Sequence, residues 1–464
     1  MTGEQLRDVG QLSLWWDQVV SDDPEAAEPG LRLDGDTTAD VTVVGGGLTG
    51  LWTAYYLTQA DPSLDVVVVE AERPGFGASG RNGGWCSALF PRSGSSLARQ
   101  HGPEAARSMR AAMRDTVTEV GRVAETEGIE CDFHAGGTLV LARSEVQLAR
   151  AQAQVAEDNL WGDQTVELSA EQARERAAAE GVLGGTWTPA CARVQPLRLV
   201  RGLVRVLRQR GVRIVERTRV LQIVPGAVLT DRGRIRTHWS VRATEAWTAS
   251  IPGARRAIAP VYSLVVATAP LDDATWSAVG LDGSPTFTDS RHVIMYGQRT
   301  ADGRIVFGGR GAPYHLRSRV LPAYDRDETV FARLRAELVE MFPVLSGVGF
   351  THAWGGPVGI PRDWHASVGL DARTGQGWAG GYVGDGVSTT NLAGRTLADL
   401  ITGTPSALVS LPWVGHRSRP WEPEPLRWAG ITAGLKAAQW ADTDEQTHHR
   451  RSRLEPVLNR LTGH

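Results

Sequence analysis

Residues 39–72 read ADVTVVGGGLTGLWTAYYLTQADPSLDVVVVEAE. Val41–Val44 is a short apolar run, glycines follow, an amphipathic pattern runs from about Leu48 to Gln59, and a second apolar run covers Val66–Val69. The order is strand, glycine turn, helix, strand, which predicts a βαβ unit in a parallel, buried sheet. Gly45 permits the tight turn, Gly47 lets a pyrophosphate approach the backbone, and Gly50 lets helix and strand pack closely. The helix N-terminus at Leu48 and Thr49 adds partial positive charge. Glu70, with Ala71 behind it, closes the second strand twenty residues after Gly50, where a carboxylate can accept hydrogen bonds from a ribose diol. Dinucleotide binding is the expected use.

In a nicotinamide enzyme the second strand should lead into an ordinary helix. Here it leads into GFGASGRNGGW at 75–85, a segment too poor in apolar side chains to build a core. Such a loop fits the second half of a flavin cofactor, with Gly77, Ala78 and Ser79 near phosphate and Arg81, Asn82, Gly83 and Gly84 near the isoalloxazine ring. A second glycine-rich stretch, AGGYVGDGVSTTNLAGRTLADLI at 379–401, supports this: Gly381, Gly384, Asp385, Gly386 and Val387 precede a helix expected to open near Ser388. A helix N-terminus facing the pyrimidine edge of a flavin would stabilise the negative charge of the reduced ring.

Composition narrows the classes further. The chain has 464 residues, enough for two domains, and a net charge of −3, so no basic surplus points to nucleic acid or to an anionic membrane. No charged-then-apolar leader and no apolar run of spanning length is seen, which predicts a cytoplasmic protein. Three cysteines, Cys86, Cys131 and Cys191, lie far apart and lack zinc-site spacing, so reduced thiols and no metal are expected. Of 49 lysines and arginines only Lys436 is a lysine, and it lies outside every motif, which nearly excludes Schiff-base chemistry.

Nucleotide-type elements occur at the start, middle and end of the chain, so the expected domains interleave. The fold class is α/β, with an α+β second domain. The family resemblance set out next implies that these are a Rossmann-like FAD-binding domain over 36–100, 193–256 and 357–410 and a substrate domain on a mixed, largely antiparallel sheet over 101–192 and 257–356, with a helical extension over 411–464. Helices are predicted at 101–128, 144–159, 169–179, 196–210 and 326–341, and FHAGGTLVLA at 133–142 reads as a strand. ADGR at 301–304 reads as a hairpin turn.

GGGLTG at 45–50, the Glu70 strand end, GASGRNGGW at 77–85, VRATEAWT at 241–248, GGRGAPY at 308–314, WGGPVGIPRDW at 354–364, GGYVGDGVSTTNLAGR at 380–395 and WEPEPLRW at 421–428 together resemble the FAD-dependent oxidoreductases of the D-amino-acid oxidase superfamily. The nearest resemblance is to the branch typified by gamma-glutamylputrescine oxidoreductase; sarcosine and glycine oxidases are more distant. The resemblance implies a non-covalent FAD and hydride transfer from the carbon bearing a neutral amine to flavin N5, giving an imine that water hydrolyses. It also implies that the strand from Val220 runs past the adenine, that Ala243 and Thr244 lie near the pyrophosphate, and that Gly356 belongs to the flavin site. Two features depart from sarcosine-type relatives. Ser388 stands where they carry a lysine for the substrate carboxylate, and no lysine lies near the flavin to assist oxygen. Oxygen and another electron acceptor therefore both remain open.

Trp85 and Trp354 are the aromatic candidates for a substrate wall among sixteen tryptophans. His352 is a candidate base or polar anchor, and Arg310 a candidate contact to an anion or a flavin carbonyl. No acid–base dyad stands out, as expected where the cofactor supplies the reactivity. Oxidation of an amine or amino-acid derivative is the leading expectation; a 2-hydroxy-acid oxidase or dehydrogenase and a non-catalytic flavoprotein subunit are the alternatives.

Overall fold

The computed structural model describes residues 9–311 and 313–462, with the side chains of all of these except 9, 310 and 459–462. Two eight-stranded sheets organise them. In the first, the strands Ser367–Asp371, Gln376–Gly380, Gly233–Arg242, Thr37–Val44, Val66–Val69 and Arg213–Val215 lie side by side in that order. All neighbours from Gln376–Gly380 to Arg213–Val215 are parallel. The hairpin Val220–Val224/Ala227–Thr230 joins antiparallel along Gly233–Arg236. Three separate stretches of chain thus build one sheet.

The valine runs explain why this sheet is buried on both faces. Val66 and Val68 enter the large apolar cluster that holds Leu51, Trp52 and Leu397, whereas Val67 and Val69 point the opposite way into a smaller cluster with Val44, Val215 and Ile235. Successive side chains of a strand alternate in direction, so a run apolar at every position needs apolar partners above and below.

The second sheet runs Phe350–Pro361, Ile258–Thr268, Ile305–Arg310, Met295–Arg299, Thr286–Asp289, Thr138–Ala142, Gly184–Thr188 and Val166–Ser169. Every pairing is antiparallel except that of Thr286–Asp289 with Thr138–Ala142. The 301–304 segment does close a hairpin, with Thr300 N–H donating to Arg304 O at 2.9 Å.

Several boundaries differ from the sequence reading. The helical run expected at 101–128 is two helices, Gly94–His101 and Pro103–Thr126, because Gly102 adopts φ +90° and Pro103 starts the second one. The strand expected over 133–142 begins only at Thr138, after Gly137 turns at φ +76°. The helix expected to reach 179 ends at Arg176. An unexpected helix, Leu14–Asp22, capped by Ser13, buries Leu14, Trp15, Trp16 and Val19 in the main core.

Two helices cross at the heart of the first sheet's cover. A Cβ on Gly394, in Gly386–Thr402, would fall 2.6 Å from the Trp52 carbonyl carbon in Leu48–Ala60, so only glycine permits this approach. The helix Leu426–His448, next to last in the chain, docks beside the second sheet: both carboxylate oxygens of Asp442 accept the amides of His292 and Val293, at 2.8 and 2.9 Å.

Candidate active site

The glycine turn is set by backbone contacts that exclude a side chain. Gly45 has φ +116°, and a Cβ there would lie 2.4 Å from Ala243 O, which puts Thr244 directly beside the turn. A Cβ on Gly50 would lie 2.0 Å from Gly45 O, so the helix can start only here if this position is bare. Gly47 is the N-cap and makes no side-chain cap bond; instead Ser79 Oγ accepts the Leu48 amide at 2.9 Å from the 75–84 loop.

Glu70 closes the turn from the next strand. One carboxylate oxygen accepts Gly46 N–H at 2.7 Å and the other Glu72 N–H at 2.8 Å. Burial nevertheless dominates and pushes the carboxyl up to about 7. Thr218 N–H donates to Glu70 O at 3.0 Å, which brings the strand beginning at Val220 to this end of the sheet.

The second glycine cluster arrives from the far end of the chain. Thr49 Oγ1 and Tyr382 Oη are 3.1 Å apart, so the N-termini of Leu48–Ala60 and Gly386–Thr402 converge. Neither helix carries an acidic residue in its first turn, and Leu48–Ala60, with glycine at its N-cap, presents a positive dipole end that can attract an anion. Asp385 is the N-cap of the second helix, Val387 is buried in its first turn, and Gly384 and Gly381 turn at φ +102° and +77°. Ser388 is buried and donates to Ser87 O.

The loop between the clusters is held in place from all sides. Arg81, with a side chain 2% exposed, donates to Asp325 at 2.8 Å and to Gly355 O at 3.2 Å, and its guanidinium lies 5.1 Å from the Phe76 ring centroid. A Cβ on Gly356 would meet Arg81 Nε at 3.4 Å, and one on Gly77 would meet the Trp247 ring at 3.1 Å. Asn82 Nδ2 donates to Ala78 O and Ser79 O, and its Oδ1 accepts Gly84 N–H at 2.7 Å. The second sheet roofs the loop: Tyr296 would touch a Cβ on either Gly83 or Gly308, at 2.3 and 2.6 Å. Its hydroxyl is 3.0 Å from Ser263 Oγ, and its ring meets Trp85 edge-on at a centroid distance of 5.9 Å. The Trp85 indole N–H is buried and has no acceptor among the described residues.

Other sequence candidates are placed differently. Trp354 is 2% exposed, packs edge-on against Trp15 and donates to Arg81 O at 2.9 Å, so its polar handle faces the loop backbone. His352 places its ring nitrogens at Asp17 (3.1 Å) and Thr351 (2.8 Å), and neither partner belongs to a glycine cluster. The Arg310 side chain lies outside the described residues; its backbone pairs with Ser263.

Glu245 was not singled out by the sequence. Its two oxygens accept Gly359 N–H at 3.1 Å and Gly381 N–H at 2.9 Å, tying the roof strand to the second glycine cluster, and burial pushes its carboxyl up to about 7. A glutamate directly after the Ala243–Thr244 turn was the available sign. A groove of about 1070 Å³ lies elsewhere, along Pro103–Thr126, between Arg114, Gly121, Phe133 and Pro189. Its cysteine, Cys131, is pushed up to about 11 by burial and stays a thiol, so the groove holds no activated nucleophile.

Two converging helix N-termini, a carboxylate at the end of the second strand, side-chain-free turns and an aromatic roof fit a dinucleotide that ends in a flat ring. Residues 40–400 match the DAO family of FAD dependent oxidoreductases. The chain belongs to this family. This FAD-dependent oxidoreductase is 31% identical over 378 residues to gamma-glutamylputrescine oxidoreductase of Escherichia coli (strain K12), covering 80% of this chain and 85% of that one. Among solved structures it resembles L-proline dehydrogenase from P. horikoshii (TM-score 0.67, 20% identity, 81% of this chain and 96% of that one). It also resembles glycine oxidase from Geobacillus kaustophilus (TM-score 0.66, 21% identity, 82% and 99%). The fold is therefore that of the oxidoreductase family, with FAD as its cofactor. No helix among the described residues is long and apolar enough to cross a membrane.

Proposed function

We propose that this oxidoreductase removes hydride from a carbon–nitrogen bond of a small amine or amino-acid derivative, in a cleft between the 75–84 loop and the second sheet. The observation that carries this reading is the Trp85–Tyr296 pair. It gives the cleft an aromatic wall with neutral polar handles: an indole N–H without an acceptor, and a phenol held by Ser263. Such a wall binds an amine by area burial and cation–π attraction without forcing it to stay protonated. The likeness to gamma-glutamylputrescine oxidoreductase supports the amine class.

Bound non-covalently, FAD supplies the hydride acceptor, so that the amine leaves as an imine for water to hydrolyse. The turn at Gly45, Gly47 and Gly50 with Leu48 and Thr49 would hold the pyrophosphate, and Glu70 with Ala71 the ribose. The Val220 strand would hold the adenine, Thr244 the phosphate side, and residues Gly77–Gly84, Gly356 and Gly381–Val387 the ring. Trp85 would orient the substrate, since its N–H still needs an acceptor. On this reading residues 36–100, 193–256 and 357–410 form the cofactor domain and 101–192 with 257–356 the substrate domain.

Anaerobic mixing with panels of amines, N-methylated amino acids and 2-hydroxy acids tests the proposal. Amines should bleach the flavin, at a rate that rises with pH toward the amine's apparent pKa. Bleaching only by hydroxy acids, or by neither panel, refutes it. Peroxide formed on readmitting oxygen marks an oxidase; its absence marks another acceptor.

A further inference from the structure

The carbonyls of residues 80–84, five in a row, all point at donors outside the loop. Gly80 O accepts from Ser13 Oγ at 2.8 Å, Arg81 O from Trp354 Nε1 at 2.9 Å, and Asn82 O from Trp15 Nε1 at 2.7 Å. Gly83 O accepts from Gln298 Nε2 at 2.5 Å, and Gly84 O from Val194 N–H at 2.8 Å. The two indoles come from different elements, the N-terminal helix Leu14–Asp22 and the roof strand Phe350–Pro361. They meet edge-on at a centroid distance of 6.2 Å and bind adjacent carbonyls. The His352–Asp17 contact at 3.1 Å joins the same helix to the same strand, so the pair of rings is held from both sides.

In a trans peptide the C=O and the following N–H point in opposite directions. Among the described residues the only cis bond is Glu424–Pro425, so fixing the Arg81 and Asn82 carbonyls on the indoles turns the amides of Asn82 and Gly83 to the other side of the loop. Among the described residues neither amide has an acceptor. Two N–H groups without acceptors on consecutive residues form a ready donor pair.

We propose that Trp15 and Trp354 are positioning residues: their indole N–H groups lock two peptide planes so that the Asn82 and Gly83 amides donate to the acceptor-bearing ring of the bound cofactor. This rests on the placement of the 75–84 loop beside that ring proposed above. Trp354 then acts on the loop and not on substrate. The N-terminal helix is part of the cofactor site although it touches none of the glycine turn. Amides donating to a ring that gains negative charge stabilise its reduced form, so the lock also raises the reduction potential.

Trp15→Phe and Trp354→Phe keep the ring and remove the donor. FAD-free protein of each should bind FAD about tenfold more weakly by flavin fluorescence titration, and the reloaded proteins should have a lower flavin reduction potential. Leu338→Ala, in the separate core of the second sheet, serves as a control for simple loss of stability. It should lower the melting temperature of the FAD-free protein as much or more, yet leave FAD affinity within about twofold. Parental affinity and potential in both tryptophan variants overturn the proposal, as does equal weakening by the control. Asn82→Ala, which unties the loop from within, separates the two levels. If it weakens FAD binding while the tryptophan variants do not, the loop placement stands and the indole lock fails; if none of the three matters, both fail.

Discussion

The Tyr382 hydroxyl lies 3.1 Å from Thr49 Oγ1, although 333 residues separate the two. This contact joins the first turn of one helix to the loop that opens another, and both residues are buried. Two positive helix ends are thereby held close together, one with Asp385 at its N-cap and the other with glycine, so the second still favours an anion beside it. Tyr382→Phe should loosen this junction. The Thr49 hydroxyl would lose a side-chain partner, at a cost of about 1–3 kcal/mol if it finds no other. Urea denaturation of the FAD-free protein should show that loss, and saturating FAD should recover part of it.

Glu70 and Glu245 make the FAD-free protein sensitive to pH. Burial raises both carboxyls from an ordinary 4.5 to about 7. A carboxyl whose folded value is raised costs nothing below 4.5, where both folded and unfolded forms are protonated; the cost grows as pH rises and is complete above about 7. Each such shift corresponds to about 3 kcal/mol. Denaturation at pH 5, 6.5 and 8 should therefore show stability falling as pH rises, and Glu70→Gln should flatten part of that fall. A rise over this window would contradict the burial of these groups.

With the ribose placed at Glu70 as proposed, FAD binding takes the opposite slope. An ionised Glu70 accepts hydrogen bonds from a diol better than the neutral acid does. Affinity for FAD should increase from pH 6 to 8 and lose its pH dependence in Glu70→Gln, along with at least about tenfold of its strength. Titration of flavin fluorescence at three pH values reads this directly.

Much of this site is legible in the sequence because its parts are local. Val66–Val69 is a strand because β-branched residues run together, and Gly45, Gly47 and Gly50 mark a turn because spacing alone imposes the backbone. The parts that were not legible depend on partners far away. The hydrogen bond from the Trp354 N–H to Arg81 O spans 273 residues and has no local sign. Glu245 reads as one letter of a strand end until two amides from distant segments meet it. The helix Leu14–Asp22 is only nine residues long, too short for its apolar residues at 14–16, 19 and 20 to stand out as a helical stripe. Non-local hydrogen bonds leave no periodic trace.

The crossing of the two central helices should tolerate no added carbon. Gly394→Ala would set a Cβ 2.6 Å from backbone at Trp52, where no side chain can swing away. The helices must part, opening the junction at Thr49 and Tyr382, and overpacking of this kind costs about 1–3 kcal/mol. Because the strain falls on a helix that the proposal places at the cofactor, FAD affinity should fall together with melting temperature. A variant of parental stability would mean that the helices are farther apart than described.

The C-terminal end of the helix Leu426–His448 should detach in acid. Glu445 is buried, which by itself would raise its carboxyl, yet the His292 ring at 3.0 Å, the Ser452 amide at 3.1 Å and the Arg150 guanidinium at 3.0 Å together hold it down to about 2. A carboxyl lowered from 4.5 contributes stability that is complete above that value and is lost as pH falls toward about 2. Asp442 on the same helix holds the His292 and Val293 amides, so this end of Leu426–His448 is tied down by Asp442 and Glu445, while Arg427 at the other end donates to Arg255 O. Lowering the pH from 5 to 3 should expose this end first, giving proteolysis near residue 450 while the visible flavin spectrum stays that of the bound cofactor. Glu445→Ala should show the same cleavage at pH 7. Removing one partner leaves Arg150 and His292 facing each other without their carboxylate, apart from the Glu455 contact to Arg150 at 3.1 Å. Release of FAD in step with the cleavage would mean that the helix also supports the cofactor.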